Sequence, residues 1–339
     1  MAEALADPAV RTGCIHPWVA DGRQTVRFGI VGGPAGDWPA LRDFVQTAED
    51  LGFDSYWRPD HPLLLPDCWA SLAAVAAVTR RLRLGSLVSC VGYRNPVLLA
   101  RMAADVDRVS QGRVILGLGA GDIAAEFRAM GLAYPPLRAR RAALAEALAV
   151  VPRLLRGEAV TYRGAHCRVE EVTLRPPPVQ QPHVPLLVGG GGERTTLRLV
   201  AQYADASSLG AGAWGGAATT GADVRHKYAV LGEHCAAAGR PYAAVLRTYH
   251  LIPALLAASP AGLAAKCERV PREVMALAGA AALVGTPEQA VERLRPLVAA
   301  GCQYFTLAVP EPETLRLLAE RVIPAVTAPA RAAPAPAGR

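Results

Sequence analysis

The chain has 339 residues, of which 52% are hydrophobic and only 19% charged. That is enough apolar material for one large core, and it excludes a disordered chain between the two ends. The net charge of +7 is carried mainly by arginines spread along the sequence, with no stripe of basic and aromatic residues. This argues against nucleic-acid binding and for solvated helix faces, with some attraction for an anionic cofactor.

The predicted elements alternate. Val26–Val31 reads as a first strand, closed by Gly32-Gly33-Pro34. Asp37 is a suitable N-cap for a helix with Pro39 in its first turn, and Leu41, Phe44, Val45, Ala48 and Leu51 repeat at helical spacing up to Gly52. Phe53–Trp57 is a second strand, running into Asp60-His61. A small-residue helix over Ala70–Val78 precedes a third strand at Leu82–Val88. Pro96–Val109 is helical. Arg113–Gly119 is a fourth strand that enters a glycine-rich loop, and Leu137–Leu155 is a long amphipathic helix.

Residues 158–183 read as an excursion with strand-like pieces. Val184–Val188 is a fifth strand before the four glycines 189–192, and Ala204–Leu209 a sixth. Residues 210–222 are Gly/Ala/Thr-rich and expected to be a mobile loop. Val245–Ile252 is a seventh strand, and residues 253–282 are expected to be mostly helical. Thr286-Pro287-Glu288-Gln289 has the form of a capping box, and Tyr304–Val309 is the eighth strand. Eight strands alternating with helices predict a (β/α)8 barrel, with an open doubly wound sheet as the alternative. The expected organisation is one domain over residues 25–325, with insertions near 158–183 and 210–282. Residues 1–24 are expected to be a loose extension, and 326–339 a disordered Ala/Pro tail.

Seven cysteines lie far apart, with no Cys-x-x-Cys pair and no zinc-type histidine spacing. No apolar run approaches the roughly 20 residues of a bilayer span, and no signal pattern opens the chain. The expectation is a reduced, cytoplasmic protein with neither a metal nor a membrane partner.

Chemistry in a parallel α/β protein is placed at the C-terminal ends of strands. His61 stands at such an end, and a histidine there can take or give a proton. It reads equally as a proton carrier or as an inert capping or core histidine, with Asp60 either orienting it or capping the next segment. Gly117-Leu118-Gly119-Ala120-Gly121-Asp122 lets backbone N–H groups approach a ligand, or forms a simple tight turn. Its spacing is not the dinucleotide fingerprint. Asp122 is placed to face a pocket, and Glu126 lies one turn further on. Gly189, Gly190, Gly191 and Gly192, immediately before a helix start, form a plausible phosphate cradle. Cys90 reads as a packing residue, because no partner base is indicated.

Together these stretches resemble the bacterial luciferase-like family of flavin and deazaflavin oxidoreductases, over roughly Val26 to Ala325, with most likeness to the coenzyme F420 branch. The resemblance rests on several segments: Ala48–Trp57 with Asp60-His61, Arg83–Val88 with Tyr93-Arg94-Asn95-Pro96, Asp107–Gly121, Pro185–Gly192 and Gly285–Gln289. It implies a (β/α)8 barrel in which His61 faces the reactive ring, often as a general base. It places a bulge at Ser86 and Leu87, frequently with a non-prolyl cis peptide, behind the ring, and Ser89 near the ring edge. Asp60, Ala120, Gly121 and the Gly189–Gly192 loop fall among its cofactor contacts, and Asp122 at a position that donates a proton in some members.

One departure stands out. Many members carry an amide after the glycines, and here the segment is Asp122-Ile123-Ala124-Ala125-Glu126. The apolar Pro62–Pro66 loop points to a hydrophobic substrate pocket. The implied function is hydride transfer between F420 and a small organic substrate. The alternatives are an FMN-dependent monooxygenase supplied by a separate reductase, and a cofactor-binding homologue without turnover. A homodimer is implied in each case.

Overall fold

The computed structural model describes residues 15–22, 24–34, 36–270, 275 and 279–328. Eight parallel strands form a closed ring: β1 (Arg27–Val31), β2 (Ser55–Arg58), β3 (Arg83–Ser86), β4 (Val114–Gly119), β5 (Leu186–Gly189), β6 (Ala206–Gly210), β7 (Leu246–Leu251) and β8 (Tyr304–Ala308). β8 pairs with β1 from Arg27 opposite Tyr304 to Val31 opposite Ala308. β3 meets β4 at Leu84–Val114 and Gly85–Ile115, which completes the circuit. The barrel expected from the sequence is therefore present, with every strand where it was placed.

The surrounding helices follow from local chemistry. In α2 (Trp38–Asp50) the Asp37 carboxylate accepts from the Ala40 N–H at 3.4 Å, and Leu41, Phe44, Val45 and Ala48 turn one buried face to the sheet. Glu49 of the same helix accepts backbone N–H groups from Arg80, Arg81 and Leu82, which ties α2 to the entry of β3. In α10 (Pro287–Ala299) Thr286 and Gln289 exchange the two bonds of a capping box. α3 (Cys68–Val78), α4 (Pro96–Val109) and α6 (Leu137–Leu155) pack in sequence round the ring. Among the described residues no helix is long and apolar enough to cross a membrane.

Three expectations are corrected. Residues 15–22 are not loose. They carry α1 (Pro17–Asp21), whose Trp18 and Val19 are fully buried in the same cluster as Trp57, Ile115, Leu187, Leu246 and Tyr304. Trp18 lies 6.4 Å from Trp57 and 5.9 Å from Tyr304, ring centre to ring centre, so α1 plugs the N-terminal end of the barrel. Residues 1–14 and 23 lie outside the described residues.

The segment 210–282 is not one insertion. Gly221–Ala237 is α8, capped by Thr220 and Asp223, and it serves as the helix between β6 and β7. Beyond β7, residues 254–285 hold α9 (Pro260–Cys267) and two short paired strands, Ala254–Leu256 and Leu283–Gly285. Lastly, Val326 is buried in a helix over Ile323–Thr327, so it is not part of a disordered tail, and residues 329–339 lie outside the described residues. The 158–183 excursion does contain strands: Val160–Arg163 pairs antiparallel with Arg168–Val172.

Strand alternation decides what fills the barrel. Trp57 occupies its middle; it leaves no room for a side chain at Gly85 and, together with the Ser55 hydroxyl, none at Gly29. A Cβ on Gly29 would stand 2.6 Å from Trp57 Nε1, and one on Gly85 would collide with the indole ring. Two residues further along each strand lies the C-terminal layer. Ile115 is followed by Gly117 and Gly119, Leu187 by Gly189, Ala206 by Ser208 and Gly210, Leu246 by Thr248 and His250, and Tyr304 by Thr306 and Ala308. The barrel is thus closed by aromatics below and lined by small residues at the mouth.

Candidate active site

The chain between β3 and the two-residue strand Ser89–Cys90 bulges into this small-residue layer. The Leu87–Val88 peptide is cis. Ser86 is fully buried. Its hydroxyl donates to the Gly117 carbonyl (2.9 Å) and accepts from the Gly117 N–H (3.1 Å), replacing the ladder that the bulge interrupts. Val88 then rests on glycines. A Cβ at Gly119 would overlap its Cγ2, and one at Gly189 would lie 3.1 Å from its Cγ1. Gly117 and Gly119 are therefore glycine to admit the bulge, and Gly189 lies in close contact with it. Leu87 and Val88 are half-buried and pack on the cluster of Trp57, Ile115 and Leu187 that fills the barrel. The expected bulge and its non-prolyl cis peptide are present, with the cis bond between Leu87 and Val88 and Ser86 bonded into the sheet below it.

His61, just past β2, is an ionisable side chain at the mouth, and its partner is a carboxylate that the sequence did not assign. His61 Nδ1 lies 2.9 Å from Glu126 Oε2. The Tyr93 hydroxyl donates to the same oxygen at 2.8 Å. Glu126, on the short helix α5 (Ala124–Ala129), is buried, whereas the His61 side chain is 31% exposed. A carboxylate only accepts, so Nδ1 carries the ring proton and Nε2 presents its lone pair outward. Burial, and then the bond to Glu126, hold the Tyr93 phenol well above its ordinary range, so it stays a donor. Asp122 is exposed and its side chain has no partner among the described residues; only its carbonyl is used, by the Tyr134 hydroxyl at 3.0 Å. The acid that meets His61 is Glu126 rather than Asp122.

Asp60 does not orient the imidazole. Its Oδ2 accepts from the Cys90 N–H (3.1 Å) and from Arg94 (2.5 Å), and Arg94 reaches on to Asp67 (3.0 Å). It therefore braces the strand ends on either side of the bulge. Its other oxygen, Oδ1, and the Ser89 hydroxyl are buried without a protein partner among the described residues. Burial pushes the Cys90 thiol up to about 12, which agrees with a packing residue.

Opposite the bulge, the Gly189–Gly192 loop leads towards α7 (Thr196–Tyr203). Gly190 is left-handed (φ 112°) and its N–H is spent on Ser208. Gly191 packs on the backbone of Gly215 and Gly216, where a Cβ would come within 2.7 Å of the Gly215 carbonyl. Among the described residues, the N–H groups of Gly191, Gly192, Glu193 and Arg194 meet no protein acceptor, which is the arrangement that receives an anion. Ala120 and Gly121 follow the end of β4, the strand beside β5. Ala120 lines a side cavity with Phe127 and Arg140, and the Gly121 carbonyl accepts from Arg140.

His250, unassigned from the sequence, ends β7 at the mouth. Burial lowers its pKa to about 4, so it is neutral at pH 7. Its Nδ1 faces the Thr306 carbonyl and hydroxyl, and its ring lies 5.4 Å from Trp214.

A family profile described as "Luciferase-like monooxygenase" matches residues 23–304. The chain belongs to this luciferase-like family. Among curated relatives it is 34% identical over 173 residues to an "F420-dependent glucose-6-phosphate dehydrogenase" of Microbacterium testaceum, covering 49% of this chain and 50% of that protein. It is 36% identical over 164 residues to the Kineococcus radiotolerans protein of the same name, covering 46% and 48%. The chain thus spans about half the length of the curated relatives it matches. By structure it superposes on the "coenzyme F420 dependent tetrahydromethanopterin reductase" of Methanopyrus kandleri with a TM-score of 0.74 at 20% identity, over 88% of this chain and 99% of that one. This last likeness bears on the fold. In luciferase-like terms, the implied ring platform and His61 both lie at the strand C-termini.

Proposed function

We propose that this protein is an F420-dependent oxidoreductase that moves a hydride between the deazaflavin and a small organic substrate. The observation that carries the reading is His61. It stands at the barrel mouth with Nδ1 fixed by buried Glu126 and Nε2 left open. The curated relatives, F420-dependent dehydrogenases by name, support the choice of cofactor.

The residues present fit such a group. The small mouth layer gives room for a flat ring against Leu87 and Val88. Asp60 Oδ1 and Ser89 Oγ are buried polar atoms with no protein partner among the described residues, and the open N–H groups of residues 191–194 suit a phosphate. When bound, the deazaflavin supplies the two-electron chemistry, and the protein supplies position and proton handling. His61 Nε2 takes the proton that a substrate hydroxyl loses, or returns it in the reverse direction. Glu126 keeps the ring in the one tautomer that can do so and sits beside the positive charge the ring then carries. Tyr93 holds Glu126 in place.

Titration of the purified protein with F420 and with FMN, followed by fluorescence, tests the reading. Tight binding of FMN with none of the deazaflavin would overturn it. With F420 bound, glucose-6-phosphate is the first substrate to try. His61→Gln is expected to abolish turnover while retaining cofactor binding.

A further inference from the structure

β7 stands opposite β3 in the ring: β2, β1 and β8 lie between them on one side, and β4, β5 and β6 on the other. The bulge after β3 therefore has β7 as its far wall, and the last inward residue of β7 is His250. Its Nδ1 lies 3.0 Å from the Thr306 carbonyl, which accepts and cannot donate, so Nδ1 carries the proton and Nε2 the lone pair. Among the described residues Nε2 meets no protein partner. Unlike Thr248 Oγ1, two residues earlier on the strand, it is not sealed from solvent. Burial keeps the ring neutral at pH 7, so this nitrogen only accepts.

Beside it stands Trp214, on the turn after β6. A Cβ on Gly210 or Gly212 would run into the indole, so these glycines seat the ring against the strand end. The residue is nevertheless 43% exposed. The His250 and Trp214 ring centres are 5.4 Å apart with planes at 59°, which makes a corner of one acceptor and one apolar ring. The residues directly after these strands bring it no charge. Residues 211–220 are uncharged, Ile252 and Pro253 follow β7, and Val309 and Pro310 follow β8. Glu311, next in the chain, is spent on Lys266 at 2.6 Å.

We infer that His250 and Trp214 form a second anchor for the substrate, taking an uncharged compound that carries a further hydroxyl or N–H beside the group that reacts. The inference rests on the F420 reading above and narrows its substrate class. The reacting hydroxyl stands at His61, the further donor at His250 Nε2, and the indole covers apolar carbons of the same molecule. A phosphate dianion or a carboxylate offers Nε2 only lone pairs, and acceptor facing acceptor is repulsive where water is excluded. A compound without the further donor leaves the ring nitrogen unpaired, which is how a polar site rejects the analogue that lacks a hydroxyl.

The test uses the full chain loaded with F420 and labelled with ¹⁵N-histidine. It is titrated with trans-cyclohexane-1,2-diol, with the monomethyl ether of that diol, and with glucose-6-phosphate. The His250 resonances are identified by their loss in His250→Gln. The diol should move the His250 Nε2 resonance saturably. The ether, one donor poorer, should bind roughly fivefold to tenfold more weakly, as befits one neutral hydrogen bond. In His250→Leu, followed by F420 fluorescence, diol and ether should bind alike. In His250→Gln, whose amide oxygen still accepts, part of the difference should return. Trp214→Ala, at an exposed position, should weaken both ligands by a similar factor and leave their difference intact. The native titration and Trp214→Ala decide the matter even where His250→Leu does not fold.

A His250 Nε2 resonance unmoved by the diol, or equal affinity of the native protein for diol and ether, overturns the inference and leaves the F420 reading standing. Glucose-6-phosphate moving that resonance as far as the diol does would overturn it too. Native protein that does not bind F420 would overturn the F420 reading itself.

Discussion

Replacing Gly119 with alanine places a methyl group where Val88 Cγ2 already sits. Gly119 does not have a positive φ, so the cost is steric rather than conformational. Overpacking of this kind costs about 1–3 kcal/mol, reduced by about 0.5 kcal/mol because alanine restricts the unfolded chain. A net loss of about 1–2 kcal/mol is expected. Gly189→Ala meets Val88 at 3.1–3.2 Å, a gap that closes with a shift of a few tenths of an ångström, and should be near neutral.

Val88→Ala alone removes two half-buried methyl groups, for about 1 kcal/mol. In the double variant G119A/V88A the new methyl occupies the vacated volume, and the loss should fall short of the sum by about 1 kcal/mol or more. Gly117→Ala is the control. Its methyl would collide with the Ser86 carbonyl oxygen, a backbone atom, and trimming Val88 cannot relieve that. Equilibrium urea unfolding of the five variants measures the cycle, and deazaflavin titration follows the platform directly. Gly119→Ala as stable as the native protein, or strictly additive losses in the double variant, would refute the claim that these glycines exist to seat the bulge.

Other expectations follow from the same geometry. Glu126→Leu should lower kcat roughly 10- to 100-fold with cofactor affinity little changed, as loss of a ligand-orienting partner does. In ¹⁵N NMR of the imidazoles, native His61 should be protonated on Nδ1, and the variant should lose that preference. Native His61 protonated on Nε2 instead would refute the assignment. Trp18→Ala, which empties the plug under Trp57 and Tyr304, should cost about 3–5 kcal/mol in urea unfolding.

For His250, the folded pKa of about 4 lies below the ordinary 6.5. The unfolded chain therefore takes up its proton first as pH falls. Stability is intact above pH 6.5 and is lost between 6.5 and 4, by about 2 kcal/mol at pH 5. His250→Gln should flatten that part of the profile, and an unchanged slope in urea unfolding at pH 7 and pH 5 would contradict it.

The eight strands were legible because each is a short apolar run bounded by glycine or proline, and the ring follows from their count and alternation. His61 was legible as a strand-end histidine, and the role proposed for it only through the resemblance. Glu126 was not, because its partner His61 is distant in sequence and a lone carboxylate on a six-residue helix looks like any solvated one. The only local hint was its setting among Ala124, Ala125 and Phe127. Of the readings open for Asp60, the dyad with adjacent His61 does not form: neighbouring residues at a strand end point apart, and Asp60 turns inward to Cys90 and Arg94. The glycines of Gly117–Gly121 and Gly189–Gly192 read as ligand-facing. Several instead make room for other parts of the protein, a relation between distant segments that spacing does not encode. α8 was missed because its small and polar residues give a weak apolar stripe, and its start is marked by Thr220 and Asp223 inside a run that reads as loop.

The plug at the bottom of the barrel also bears on how the molecule is made. Trp18 leaves the ribosome long before Tyr304, against which it packs and which belongs to the strand that closes the ring. Until that strand emerges, β1 has one open edge and the indole has no complete cavity to enter. Contacts this remote in sequence make folding slow and keep apolar surface in view while the chain waits. A nascent chain halted before Tyr304 should therefore hold Trp18 and Trp57 accessible to quenchers and be a ready client for chaperones, whatever cofactor the finished barrel goes on to bind.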